Sequence, residues 1–155
     1  MNKLIKSIIV VGGLACMTGT AIAEDAAPDE AIKYRKQSMQ LVGAHTTSFF
    51  AILQGKVPHQ GDLAYHANGL AEASARSAAA FEQNTAGQGE EKTTAKASIW
   101  EGPEFAAGMD ALAKATADLA AAVEANDMAA IGTAAGAVGA SCKGCHDKFR
   151  EKHDH

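Results

Sequence analysis

The sequence predicts an all-α fold, an antiparallel up-down-up-down four-helix bundle, from three observations. Beyond residue 23 the chain is dominated by Ala, Glu, Lys, Gln, Leu and Met, which favour helix, and no β-rich stretch interrupts them. Core-type residues recur at alternating spacings of three and four, the seam of a helix that buries one face. Most breaks between these stretches are short, as antiparallel neighbours require.

Each element can be justified in turn. The first helix opens at Pro28, suited to a first turn, with Asp29 and Glu30 at the positive end of the helix dipole. Its stripe is Ile32, Arg35, Met39, Val42, Thr46, Phe49 and Leu53, and it stops near Gln54-Gly55, ahead of Pro58. The second follows Gly61-Asp62 and turns Leu63, His66, Leu70, Ala73, Ser77 and Phe81 inward. A loop containing Gly, Thr and Lys runs from Asn84 to about Ser98. Pro103 opens the third helix, whose stripe is Phe105, Met109, Leu112, Thr116, Leu119 and Val123. Asn126-Asp127 supplies a turn and an N-cap for the fourth, which aligns Ile131, Ala135, Val138, Cys142, Cys145 and Phe149. Alanine-rich stripes let helices approach closely; Arg35 and Met39 interrupt the apolar seam and mark where a guest group would sit.

The N-terminal segment does not belong to this bundle. Lys3 and Lys6 precede a short apolar run, Ile8 to Ala15, and Ala21-Ile22-Ala23 then leads into Glu24-Asp25. A basic start, an apolar middle and an A-x-A exit are the parts of a secretory signal peptide, and the run is short for a membrane-spanning helix. The expectation is a signal at residues 1–23, a bundle domain at 24–155, and a soluble periplasmic product with no membrane insertion. Leu14-Ala15-Cys16 partly matches a lipoprotein processing site, but Gly13 stands where an aliphatic residue is wanted. Cys16 therefore reads as an apolar cysteine of the removed segment. Loss of Lys3 and Lys6 lowers the basic count from 14 to 12 against 18 acids, a net charge of −6. That sign disfavours nucleic acid and anionic membranes as partners.

Two cysteines then remain, Cys142 and Cys145, too close along a helix to make a useful structural disulfide. They stand in Cys142-Lys143-Gly144-Cys145-His146, the C-x-x-C-H pattern of covalent c-type haem attachment. Two thiols add to two vinyl groups of one porphyrin while the adjacent imidazole reaches the iron from the same side. A zinc site would need a second ligand pair, and a thioredoxin-like dithiol would need a βαβ context; the sequence offers neither.

With these motifs the chain resembles the cytochrome c′ family, the class II c-type cytochromes. The matching segments are Tyr34-Arg35-Lys36-Gln37-Ser38-Met39, Ile99-Trp100, and Gly139-Ala140-Ser141-Cys142-Lys143-Gly144-Cys145-His146-Asp147-Lys148-Phe149-Arg150. The four-helix architecture of that family is a standard example of such bundles. The resemblance implies one haem c held by Cys142 and Cys145, with His146 as proximal iron ligand. It places Arg35, with Lys36 beside it, at the haem propionates, and Thr85 near them. Arg35 could instead snorkel from the edge of its stripe. Arg150 is either a cation tuning the proximal imidazole or simply a favourable charge at a helix C-terminus.

Met39 aligns with the residue covering the distal side of the haem. In typical members that residue leaves the iron five-coordinate, and in low-spin relatives a methionine there is the sixth ligand. Core filling is a third role for it. The Arg35/Met39 pairing looks more like the five-coordinate members. Such a protein would bind small diatomics (NO, CO), transfer electrons to redox partner proteins, or both, and would not be an enzyme. A peroxidase would need a distal acid–base residue, and none falls on the Met39 face. The alternative is a pure electron carrier with His146/Met39 ligation. The family also implies a homodimer through the first two helices. Trp100 reads as a packing residue near the haem edge, and His45, His59 and His66 as solvated or partly buried. His153 and His155 fall in a charged tail.

Overall fold

The structure, a computed structural model, describes residues 25–152. The expected signal segment with Cys16, Glu24 at the domain start, and the tail histidines His153 and His155 lie outside those residues. The architecture is the expected bundle: α1 Pro28–Leu53, α2 Leu63–Ser77, α3 Glu104–Glu124 and α4 Met128–Phe149. Helices adjacent in sequence pack side by side, α1 on α2, α2 on α3 and α3 on α4, which is up-down-up-down topology. Among the described residues the sole β feature is an isolated antiparallel bridge, Ala95 to Arg150.

The local signals act where they stand. Pro28 occupies the first turn of α1, and Gly55 beyond its end has φ 67°, letting the next N–H, that of Lys56, turn back to the carbonyl of Ala51 at 2.9 Å. Asn126 takes φ 56° in the turn before α4, and the Asp127 carboxylate accepts from the amides of Ala129 and Ala130, both at 3.0 Å. The α3 stripe is buried throughout. On α1, Ile32, Arg35, Val42 and Phe49 are buried with Ile52, whereas Met39, Thr46 and Leu53 are half-buried.

α2 departs from its expected stripe. Ala67, Leu70, Ser74 and Ser77 are buried, while Leu63, His66 and Ala73 sit at the edge. Alanine and serine are small enough to let the helix rotate toward its neighbours. Phe81 lies past the α-helix in a 3-10 turn, Ala78–Phe81, and stacks on Phe105 at 4.9 Å between ring centroids.

Two apolar clusters result. The larger joins all four helices around Phe49, Leu70, Leu119, Ile131 and Val138. The smaller gathers Ile99, Phe105, Met109 and Phe149 at the end of α4 that carries the cysteines. The loop after α2 closes this end. Lys96 N–H donates to the carbonyl of Phe149 at 2.9 Å, and Glu151 N–H donates to that of Thr94 at 2.7 Å. Asp29 holds the same loop from α1, accepting from the amides of Glu90 and Glu91 at 2.7 and 2.9 Å.

Candidate haem site

α1 and α4 face each other across a cavity of about 690 Å³, within the range of about 300–1,000 Å³ usual for cofactor pockets. Cys142, Cys145 and His146 line it from α4, one helical turn bringing the two thiols to the same face. Arg35, Lys36 and Met39 line it from α1, and Arg150 closes the mouth at the end of α4. Five of its apolar wall residues are Val42, Ile99, Phe105, Met109 and Leu112. Seven of the eight site residues expected from the sequence thus surround one space, and only Thr85 does not line it.

Both cysteines are half-buried. Burial pushes both up from the ordinary thiol value, and for Cys145 the neighbouring Cys142 adds to the effect. The His146 imidazole is held below its ordinary value by burial and by the Arg150 cation, with Asp147 opposing, so its neutral, ligating form is favoured. Gly144 is exposed and off the cavity wall; a Cβ there would meet nothing within 4 Å.

Arg35 is the most elaborately held side chain. It is 3% exposed. Its Nε donates to the carbonyl of Ala80 at 3.2 Å, Nη1 to Thr85 Oγ1 at 3.1 Å and Nη2 to the carbonyl of Gln83 at 3.2 Å. The guanidinium carbon lies 5.2 Å from the Phe81 ring centroid and 5.0 Å from that of Trp100. Burial lowers the Arg35 pKa from its ordinary value. Thr85, itself buried, stands behind Arg35, and Trp100 is fixed over it by an indole N–H donated to the carbonyl of Phe81 at 2.8 Å. Lys36 pairs with Glu91 on the surface side.

Lys92, Thr93 and Thr94 also line the cavity and were not singled out from sequence. Their approach depends on the pairing of the loop with the end of α4, which no local spacing encodes. The wall thus presents four basic residues, Arg35, Lys36, Lys92 and Arg150, and no carboxylate among the described residues. That donor set fits a haem: two thiols and an imidazole on one wall, apolar surface for the macrocycle, and cations for its two carboxylates.

Fold and site together define a c-type haem protein built on a four-helix bundle. The family model for cytochrome c′ matches residues 30–150. The cytochrome c′ of Pararhodospirillum photometricum is 40% identical over 127 residues, covering 81% of this chain and all of the relative. The solved cytochrome c′ of Rubrivivax gelatinosus superposes with TM-score 0.73 at 34% identity, covering 83% of this chain and 100% of that one. A nitric oxide complex of a cytochrome c prime variant from Alcaligenes xylosoxidans matches with TM-score 0.72 at 32% identity, over 84% of this chain and 100% of that one. The chain belongs to the cytochrome c′ family, haem proteins of electron transfer and gas binding. Its cofactor is haem c, attached covalently through Cys142 and Cys145.

Proposed function

We propose that this chain is exported to the periplasm and there holds a mainly five-coordinate haem that binds small neutral diatomics, NO and CO, and exchanges electrons. When bound, the haem supplies an iron that changes oxidation state and accepts a diatomic where an axial position is open. His146 serves as proximal ligand through its neutral imidazole, with the Arg150 cation beside it. Arg35 and Lys36 face the propionates, Thr85 fixes the Arg35 guanidinium, and Met39 covers the distal side.

The observation that carries this reading is the make-up of the cavity wall. His146 is the sole imidazole on it among the described residues, and beyond Arg35 and Lys36 the α1 side offers Met39, Gln40, Val42, Gly43, Thr46 and Thr47. From Met39 to Thr47 that side presents no charged group to a small ligand, which supports a neutral diatomic as the guest. It also offers no distal acid–base residue, which supports a carrier and gas binder over a peroxidase. The nitric oxide complex of the Alcaligenes protein supports the same ligand class. The A-x-A segment ending at Ala23 supports export, and among the described residues no helix is long and apolar enough to cross a membrane. Exposed Tyr34 and Leu41 on α1 and Tyr65 on α2 support a homodimer through these helices.

One observation favours a second reading: the Met39 thioether is half-buried on the cavity wall, where it could serve as sixth ligand of a pure electron carrier. Replacing Met39 with Leu and recording the ferric spin state separates the two. The proposal expects a high-spin signal in both proteins. A low-spin protein that becomes high-spin on substitution would establish the methionine as ligand.

A further inference from the structure

Away from the haem cavity, α1 and α2 bring two histidines together. Nδ1 of His45 lies 3.3 Å from Nδ1 of His66, both rings half-buried. We propose that this pair is a binding site for a divalent transition metal ion of the zinc or copper(II) type, ligated through the two Nδ1 atoms.

The spacing is the first reason. Two nitrogens bound at about 2.0–2.1 Å in a tetrahedral sphere stand about 3.3–3.4 Å apart. The observed 3.3 Å separation serves as a long hydrogen bond in the metal-free pair and also matches the edge of a metal polyhedron.

The second reason is how firmly His45 is placed. Its ring occupies the space over Gly69 of α2, where a Cβ would fall 2.3 Å from Cε1 and 2.7 Å from each ring nitrogen. A glycine inside a helix costs about 1 kcal/mol relative to alanine, and here its missing side chain is what admits the imidazole. Tyr65 packs its ring at 5.7 Å from that of His45 and 5.0 Å from that of His66. Pre-positioned rings lose little freedom on chelation.

The proton balance is simple. In the metal-free pair of neutral rings, one Nδ1 carries the proton and the other accepts it. On chelation that proton moves to Nε2 of the same ring, so both Nδ1 lone pairs face the ion and no net proton is released. Among the described residues no cluster of three or more His, Cys, Asp or Glu is placed for a metal. The remaining positions of the ion are therefore for water or groups of another molecule.

The test uses the haem-loaded protein with His153 and His155 replaced by Ala in every sample, which removes tail imidazoles. Zn²⁺ is titrated calorimetrically, and Cu²⁺ is added to the ferric form for electron paramagnetic resonance. The expectation is saturable binding, two-nitrogen splitting of the copper signal, and a Tm that rises with Zn²⁺. His45→Ala and His66→Ala should each abolish these effects. Gly69→Ala keeps both ligands but displaces the His45 ring, and should weaken affinity by about tenfold or more. An ion shared by two chains would still require both residues. The proposal is overturned if no saturable binding occurs, or if binding persists unchanged in the His45→Ala and His66→Ala proteins.

Discussion

Arg35 shows what one side chain can organise in this bundle. Its guanidinium reaches back from α1 to three acceptors contributed by residues 80–85, and its faces are covered by Phe81 and Trp100. Removing it leaves buried acceptors without a donor and a gap between two rings. Arg35→Ala should therefore lose about 3 kcal/mol in urea unfolding of the haem-loaded protein, and Arg35→Lys nearly as much. An ammonium cannot bridge three acceptors in a plane. That Arg35 lies on the inner stripe of α1 was legible from spacing; that neutral groups and aromatic rings hold it was not. Those partners stand 45 to 50 residues away, and sequence periodicity says nothing about which loop returns to which helix.

Helices and the connections between them set the next level. Asp127 caps α4, the helix that carries both thiols, by accepting from two of its first free amides. Asp127→Ala should cost about 1 kcal/mol, read as a lower Tm. The long loop is tied to α1 through Asp29, whose carboxyl is held below the ordinary carboxylate value of 3.8 by the amides of Glu91 and Glu90. A depressed folded-state pKa means that this anchor is at full strength above the ordinary value and weakens as pH falls through the lowered one. Amide shifts of Glu90 and Glu91 should follow pH with a midpoint below 3.8, and a midpoint at or above 3.8 would contradict the anchor. Helix starts and stops were readable because proline, glycine and Asn-Asp act locally. The face of α2 was not, because alanine and serine alternate around it and only packing against α1 and α3 selects Ala67 and Ser74.

At the scale of the molecule, the bundle leaves α1 and α4 apart, and the loop zipped to the end of α4 closes the space between them. The C-x-x-C-H motif located the haem attachment, and its family likeness located Arg35 and Met39. Lys92 entered the wall only through the tertiary path of the loop. The proposed homodimer predicts that Leu41→Glu, which puts a charge on an exposed apolar position of α1, shifts the protein from dimer to monomer in sedimentation. The most direct test of the haem account is the optical spectrum of the ferrous protein before and after addition of carbon monoxide. A high-spin spectrum converted by the gas to that of a carbon monoxide complex is the predicted result. A low-spin spectrum unresponsive to the gas, with a methionine–iron band in the ferric form, would contradict it.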